Sequence, residues 1–307
     1  MMWRHVMRSL WQVVPVLYLI SLIVFILVYL LGDPVVLLLA EDEFTAEARQ
    51  RLTEALGLDQ PWYVQYYHYM KNIFTGDFGI SYRYGTSALP LVLERIPATL
   101  ELTFGALLVG VVIATPLGIL AARYRNSVFD VIVSGLSVVG KAMPNFWVGI
   151  MLILLFSVLL RWLPVSGRGT LLHLTLPALT LGTGLAAEMA KMIRSSMLDA
   201  LNQDYIRTAR AKGVSEFLVT TRHALRNALL PVTTIVSLNI VSLLGGALVT
   251  ETVFAWPGLG QLMVQAVYTK DMAVVQVSVF VIGVLALALS IVTDILYALL
   301  DPRIRYR

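Results

Sequence analysis

Long apolar runs alternate with short polar stretches along this chain, and the alternation predicts its architecture. Six runs carry few or no charges, and each is close to the ~20 residues that a helix needs to cross about 30 Å of hydrocarbon. They cover residues 11–31, 98–122, 131–160, 174–190, 229–250 and 272–293. Because lipid offers the backbone no hydrogen-bond partners, a spanning run must be helical. We therefore predict an all-α membrane protein with six transmembrane helices.

The ends of the chain are predicted to share one side of the membrane, since six spans bring the chain back to where it started. The first run is longer than the ~7–15 apolar residues of a signal peptide, so we expect it to be retained as a helix. Lys and Arg concentrate in the cytoplasmic loops of membrane proteins. With both termini in the cytoplasm, the cytoplasmic ends would carry most of the 23 basic residues. These are Arg4, Arg8, Arg123, Arg125, Lys191, Arg194, Arg207, Arg210, Lys212, Arg222, Arg226, Arg303, Arg305 and Arg307.

The composition agrees with a membrane protein and excludes several other classes. The 307 residues are 58% apolar and only 14% charged, whereas soluble domains carry about 25% charged residues. No cysteine is present, which excludes disulfides and thiolate metal sites. The net charge of +4 follows from the membrane topology, and no aromatic–basic pattern for nucleic acid accompanies it. The expected surroundings are a lipid bilayer, with no nucleic acid partner.

Two portions are expected: 1–97, with the first span and an extracytoplasmic helical segment, and 98–307, with the other five spans. The segment 32–97 is too polar for lipid. It contains a helix ending near Ala55 and another from Pro61 to Gly76. An aromatic stripe on the second helix is compatible with three placements. These are the membrane interface, a packing surface against neighbouring helix ends, and a surface that contacts a partner protein. The members of the stripe are Trp62, Tyr63, Tyr66, Tyr67 and Tyr69.

A soluble, basic element lies in the loop 195–230, between the fourth and fifth spans. Its core, 204–213 (DYIRTARAKG), predicts a short helix that stops at Gly213 in the left-handed conformation. Ala209 and Ala211 are small enough for close approach to a groove, and the cations can meet carboxylates. This pattern fits a docking helix. It fits a basic loop held to anionic lipid equally well.

Lys141 stands out because it lies inside the third span, where a lysine costs about 2.5–3.5 kcal/mol on insertion scales. It precedes the Met143–Pro144 step and Asn145, and Glu188 on the fourth span is its natural partner. One hypothesis makes Lys141, Asn145 and Glu188 pathway residues, with the lysine facing a substrate carboxylate. The alternative is a structural Lys141–Glu188 pair or a lysine that reaches for the nearer surface.

The loop 251–260 (ETVFAWPGLG) is the second dense patch and is expected on the outer side. Pro257 and Gly258 force a turn, and Phe254 and Trp256 are expected next to water. Together with Glu251 they are candidates for an outer gate or for contact with an extracytoplasmic receptor. The alternative is a tight turn whose aromatic rings anchor at the lipid interface.

Catalytic chemistry is not indicated. Residues 135–142 (GLSVVGKA) nearly match a phosphate loop, but Ala142 replaces the Mg²⁺-binding hydroxyl and no strand precedes the stretch. The four histidines lack metalloprotease spacing. An ion-driven secondary transporter would show internal repeats and broken helices around buried acids. No repeat is visible, and among the acids only Glu188 and Asp294 are candidates for such a role. A membrane enzyme would need a nucleophile–base pair, and the predicted spans contain no plausible one.

Several segments together resemble the permease subunits of binding-protein-dependent ABC importers, in the dipeptide/oligopeptide/nickel family. The strongest are 204–213 and 223–231 (HALRNALLP). The others, in order along the whole chain, are 32–34, 56–61, 76–79, 143–147, 251–260 and 301–305. In the wider importer superfamily the signature of this cytoplasmic loop begins with Glu-Ala-Ala. Here Arg207-Thr208-Ala209 takes that place, as in the peptide branch.

The resemblance implies a type I ABC importer permease fold in a bacterial or archaeal cytoplasmic membrane. It also implies a second related permease subunit, two cytoplasmic ATPases that bind ATP and Mg²⁺, and a substrate-binding protein. This chain itself would be non-catalytic and hold no cofactor. Its ATPase-coupling residues would be Asp204, Tyr205, Arg207, Thr208, Ala209, Arg210, Ala211, Lys212 and Gly213. The expected substrate is a short peptide, with nickel or another metal chelate, glutathione and opines as alternatives.

Overall fold

A computed structural model describes residues 14–26, 45–55 and 59–300 of the chain. These residues are almost entirely helical, and the described part holds a single isolated antiparallel bridge, Ile80–Ser87, in place of a sheet. The helices are α1 (Val14–Ile26), α2 (Ala46–Ala55), α3 (Trp62–Thr75), α4 (Ala88–Leu93), α5 (Ile96–Arg123), α6 (Val128–Ala142), α7 (Asn145–Leu152), α8 (Leu171–Leu201), α9 (Asp204–Ala211), α10 (Leu225–Val253), α11 (Leu259–Tyr268) and α12 (Met272–Leu300). Segments 32–34 and 301–305, and both termini, lie outside the described residues.

Helices occupy each of the six predicted spans, although only 14–26 of the first is described. Ala88–Arg123 and Met272–Thr293 are each long and apolar enough to cross a membrane. The pair Val128–Ala142 and Asn145–Leu159 is bent by 106° at its break and makes a third if it counts as one span. α8 has 31 residues and buries much of its length inside the protein.

The bend between α6 and α7 follows from Pro144. The residue before a proline is pushed out of the helical region, and Met143 accordingly has φ −79° and ψ 131°. Pro144 then stands at the N-cap of α7. The chain leaves α7 through a π-helical segment, Ile153–Leu159. The predicted third span is thus a broken helix.

The chain divides into two compact units, and the larger (unit 1) comprises 98–257 and 288–300 of the described residues. Its central helix is α8, which packs against α6, α7 and α10. α8 also meets α5 along buried stripes of small residues, the arrangement that lets helix backbones approach closely in membranes. On α5 every fourth residue is buried: Ala98, Leu102, Ala106, Gly110, Ala114, Gly118 and Ala122. On α8 the stripe is Ala178, Gly182, Ala186 and Ala190.

Unit 2 comprises α1 to α4, α11 and the first part of α12. Its core joins α4, α11 and α12 through residues such as Val92, Leu262 and Val277. Buried Ser81 donates a hydrogen bond to the carboxylate of Asp271, at the start of α12. Whether the portions 1–97 and 98–307 behave as separate domains stays a prediction.

The helix predicted from Pro61 to Gly76 is observed as α3, and Gly76 ends it with φ 73°. Its aromatic residues divide between two faces. Tyr66 and Tyr69 pack against Phe25 of α1, whereas Trp62, Tyr63 and Tyr67 are exposed. Burial raises the pKa of Tyr69 above its usual range. Packing thus accounts for only part of the stripe.

Candidate functional site

The segment 202–216, which we call the basic loop, connects α8 to the chain that leads into α10. Within it α9 is amphipathic. Ile206 is 0% exposed and Ala209 8% exposed, and both belong to the core of unit 1. Of the predicted coupling residues, all except Ala209 are exposed: Asp204, Tyr205, Arg207, Thr208, Arg210, Ala211, Lys212 and Gly213. The two buried side chains anchor the helix and turn a charged face outwards.

The position of Ala209 corrects one expectation. We expected its small side chain to face a groove on a partner, but its methyl group packs into the chain's own core. Ala211, two residues later, is exposed and can allow close approach. Sequence alone did not separate them, since the register of so short a helix is set by what lies beneath it.

Gly213 ends α9 in the way its sequence predicts. It has φ +76°, in the left-handed region. The N–H of Val214 donates to the carbonyl of Ala209 at 3.2 Å, and the N–H of Gly213 donates to that of Arg210 at 2.9 Å. These two bonds define a Schellman motif, which satisfies carbonyls at the helix end.

Replacing Gly213 with alanine is expected to loosen this turn. A Cβ here would meet no atom within 4 Å, so the cost is conformational strain alone, about 1–2 kcal/mol. Hydrogen exchange of the amides at position 213 and at Val214 should speed up correspondingly. Gly169→Ala is the matched control, because Gly169 also has open space but no positive φ. Equal exchange in the wild type and the Gly213 variant would show that the turn tolerates a side chain.

An ion pair closes the basic loop. The guanidinium of Arg210 donates to both carboxylate oxygens of Glu216, at 2.6 and 3.3 Å. These hydrogen bonds lower the pKa of Glu216 and raise that of Arg210. Arg207 only approaches Asp204, at 3.5 Å, with both side chains strongly exposed. Arg207 and Lys212 are therefore the cations most open to an external carboxylate.

A second contact ties α9 to α10. The side-chain amide of Asn227 donates to the hydroxyl of Tyr205 at 2.9 Å. Short helical and π-helical segments, Glu216–Leu218 and Val219–Ala224, join the basic loop to α10 without a break. Asn227 and Glu216 were not expected from the sequence to belong to the site. These contacts connect α9 directly to α10.

A buried ion pair lies at the start of α6. Arg194 of α8 donates to both carboxylate oxygens of Asp130, one bond being 2.7 Å long. The side chains are 27% and 5% exposed. Asp130 also accepts from the N–H of Asn126, and Ser127 caps the helix by accepting from the N–H of Asp130. From the sequence, Arg194 was expected only to be one of the cytoplasmic positive charges. The Ser127-x-x-Asp130 spacing of a capped helix start was the available signal.

The candidate pathway residues lie around the break between α6 and α7, and two of them are in contact. Lys141 lies in the last turn of α6 and Asn145 in the first turn of α7. The Lys141 ammonium is 3.4 Å from a carboxylate oxygen of Glu188 on α8. The predicted pair is therefore formed. The pathway role of the three residues stays a prediction.

Three large side chains of the 251–257 stretch are buried, which corrects the expectation that its aromatic rings lie next to water or anchor in lipid. Glu251, Phe254 and Trp256 are at most 1% exposed. Thr99 donates to the Glu251 carboxylate at 2.6 Å, and the Trp256 indole donates to the carbonyl of Ala98 at 2.8 Å. None of the three side chains is available to a receptor in this conformation.

Neighbouring residues hold the same turn. The N–H of Gly167 donates to the carbonyl of Phe254 at 3.0 Å, and Arg168 pairs with Glu101 at 2.6 Å while lying over the Trp256 ring. Pro257 is half-buried, and Gly258 is buried within unit 2. The outer-gate role stays a prediction for Glu251, Phe254, Trp256, Pro257 and Gly258.

Among the described residues no group of three or more metal-ligating side chains occurs.

Comparison with known proteins identifies the family. Residues 114–306 match the family described as binding-protein-dependent transport system inner membrane component, and residues 2–103 match the N-terminal model of the same kind of component. The chain is 41% identical to the glutathione transport system permease protein GsiC of Escherichia coli (strain K12), over all of both chains. It is equally similar to GsiC of Shigella dysenteriae serotype 1.

Solved structures agree on the fold. The inward-facing MetNI methionine ABC transporter in its native crystal form aligns with a TM-score of 0.58 at 22% identity, covering 69% of this chain and 96% of that one. The predicted fold class, an all-α type I importer permease, is confirmed. The chain belongs to the family of binding-protein-dependent transport system inner membrane components, and it is a non-catalytic permease subunit of an ABC importer.

Proposed function

We propose that this permease subunit forms half of the translocation pathway for small peptides of the glutathione type. The proposal for the substrate is supported by the full-length similarity to glutathione permeases. Glutathione is a modified tripeptide, and it was one of the alternatives to an ordinary short peptide that the sequence left open. Nickel or another metal chelate and opines remain the competing substrates within the family.

The assembly would contain a second related permease, two ATPase subunits that bind ATP and Mg²⁺, and an extracytoplasmic substrate-binding protein. Both termini and the basic loop would face the cytoplasm of a bacterial or archaeal cell, in keeping with the distribution of Lys and Arg. The ATP chemistry would belong to the partners.

The proposal rests mainly on one observation, the way in which α9 is fixed to the rest of unit 1. Ile206 and Ala209 fix the helix to the core of unit 1, the Tyr205–Asn227 bond and the Arg210–Glu216 pair brace it, and Arg207 and Lys212 face outwards. A helix held this way acts as a rigid lever. We propose that closure of the ATPases moves α9, and through α10 moves the membrane helices as packed bodies, one of the recognised classes of switching.

Lys141, Asn145 and Glu188 would line the pathway at the broken helix. The buried turn around Glu251, Phe254 and Trp256 would belong to an outer gate in its closed state, with Pro257 and Gly258 continuing it. A gate fits their burial better than a receptor surface does.

The test is charge reversal on the exposed face of α9. In the complete complex reconstituted into liposomes, Arg207→Glu with Lys212→Glu should lower ATP-driven uptake of labelled glutathione at least tenfold, and binding of the ATPase should weaken. Arg125→Glu is the matched control, an exposed arginine in the 123–127 connection. A bifunctional cross-linker at Ala211→Cys should capture the ATPase, and this chain has no native cysteine to compete.

Two results would overturn the coupling proposal. One is unchanged uptake by the charge-reversed complex. The other is a cross-link from the Ala211→Cys variant to lipid alone, which would favour the membrane-bound loop. Uptake of an α-linked peptide or a nickel chelate in place of glutathione would overturn the substrate proposal alone.

A further inference from the structure

Three polar groups of different kinds lie around the point where the membrane helix breaks. We call Lys141, Asn145 and Glu188 the break cluster: a cation, an amide and an anion. The cation and amide flank the Met143–Pro144 step, while the anion comes from α8. Charged groups at membrane depth are costly, and they usually face a cavity or a partner and serve a function.

The contacts inside the break cluster are loose. The ammonium and carboxylate approach to 3.4 Å, longer than the 2.7–2.9 Å of a charge-assisted hydrogen bond. The side chains of Lys141 and Glu188 are 68% and 35% exposed. Apart from the Lys141–Glu188 ion pair itself, none of the three side chains has a hydrogen-bond partner within the described part of the chain. Their donors and acceptors are therefore open to a ligand.

The Asp130–Arg194 pair in the same unit shows what a structural ion pair looks like in this protein. That pair is bidentate and largely buried, and Ser127 caps the helix at Asp130. The break cluster has none of these properties. A purely structural role does not account for the difference.

Glycines leave space beside the break cluster. Gly184 lies one helical turn before Glu188, so both are on one face of α8. A Cβ at Gly184 would lie 3.7 Å from the amide oxygen of Asn145, and a Cβ at Gly246 of α10 would lie 3.7 Å from its amide nitrogen. Both helices therefore meet the Asn145 amide with bare backbone.

We propose that the break cluster binds the zwitterionic head of a γ-glutamyl peptide, an inference that rests on the proposed import of glutathione-type peptides. The ammonium of the head would meet Glu188, its carboxylate would meet Lys141, and Asn145 would bond the adjoining amide. In a γ-glutamyl peptide the ammonium and this carboxylate sit on one carbon atom, which suits partners 3.4 Å apart. The termini of an extended α-linked tripeptide lie on the order of 10 Å apart, at ~3.3–3.6 Å per residue.

Uptake by the reconstituted complex tests this assignment with two isomers of one composition, γ-Glu-Cys-Gly and α-Glu-Cys-Gly. Both are S-methylated to avoid thiol chemistry, and both are used at concentrations that saturate the substrate-binding protein. Wild type should prefer the γ-isomer at least tenfold. Glu188→Gln and Lys141→Met should each lower γ-isomer uptake at least tenfold and abolish the preference.

The exchanged pair Lys141→Glu with Glu188→Lys separates binding from structure. It keeps an ion pair but reverses the charges that the ligand meets, so uptake of the γ-isomer should stay low. Thermal unfolding of the receptor-free complex gives a second readout: the γ-isomer should stabilise wild type and not the exchanged variant.

Full uptake and preference in the exchanged variant would overturn the assignment and leave the proposed import intact. Unchanged uptake in Lys141→Met would do the same and would indicate a lysine that only reaches the membrane surface. Failure of wild type to import either isomer would instead overturn the proposed substrate. Each failure is distinguishable from the others.

Discussion

Replacing Gly118 with leucine is expected to prevent unit 1 from folding, and replacing it with alanine should destabilise the protein by about 1–3 kcal/mol. A Cβ at this position would lie 2.6 Å from the Cβ of Ile193 and 2.9 Å from the backbone oxygen of Ala190. A backbone atom cannot move aside as a side chain can, so the two helices would have to separate. Thermal unfolding of the purified complex measures the effect.

Gly135 supplies the matched control for the Gly118 prediction. It also lies inside a helix, but a Cβ there would meet nothing within 4 Å. Since alanine is favoured over glycine in a helix by up to ~1 kcal/mol, Gly135→Ala should be neutral or stabilising. Replacing glycine with alanine is therefore expected to lower stability at Gly118 but not at Gly135. A loss of stability of similar size at both positions would show that close packing is not what makes Gly118 necessary in α5, because Gly135 of α6 has open space around it.

Gly182 of α8 allows the same test on the helix that packs against α5. A Cβ at this position would lie 2.8 Å from the backbone oxygen of Ala106 and 2.7 Å from a methyl group of Val109. Gly182→Ala should therefore resemble Gly118→Ala in size. Agreement between the two would locate the effect at the α5–α8 crossing, because they approach it from opposite sides.

The membrane helices were predictable because lipid imposes a simple rule on them. An uncharged run of about 20 residues has few alternatives to a helix. The runs at 98–122 and 272–293 correspond to α5 and α12 with boundaries within a few residues at their N-terminal ends. The break at Pro144 and the stop at Gly213 were predictable for a different reason. Each depends on the backbone chemistry of one residue and on little else.

The burial of particular side chains was not predictable in the same way. Phe254 and Trp256 read as exposed aromatics beside a turn, yet Phe254 lies against Gly149 of α7, and Trp256 bonds a carbonyl of α5. Both partners are distant in sequence, so no local pattern could point to them. The inward orientation of Ala209, with Ala211 facing out, likewise depends on the core beneath α9. Local pattern locates an element, and its neighbours decide which face is hidden.

Replacing Arg194 with methionine is expected to cost about 3–5 kcal/mol of folding free energy. The change leaves the Asp130 carboxylate nearly buried, 5% exposed, with its strongest partner gone. The bond from the Asn126 N–H and the hydrogen bond with Ser134 are weaker than the two charge-assisted bonds that are lost. Thermal unfolding of the purified complex, with the fraction of folded protein recovered from membranes, measures the loss.

Arg210→Met is the matched control for Arg194→Met, since it removes the same side chain from an equally bidentate pair. The Arg210–Glu216 pair is exposed, so its removal should leave the stability nearly unchanged. The double variant Asp130→Leu with Arg194→Met separates two explanations. If the loss comes from a stranded charge, it should recover most of the stability, because buried ion pairs are often replaceable by apolar residues of similar size.

A double variant that folds well but no longer links ATP hydrolysis to uptake would give the Asp130–Arg194 pair a second role. The pair joins the first turn of α6 to α8 ten residues before α9 begins, and α6 carries Lys141 at its other end. Movement of α9 would then reach the broken helix through a fixed connection. Equal losses of stability in Arg194→Met and Arg210→Met would contradict this prediction. The two ion pairs have the same bidentate geometry, so the expected difference between them comes from burial alone.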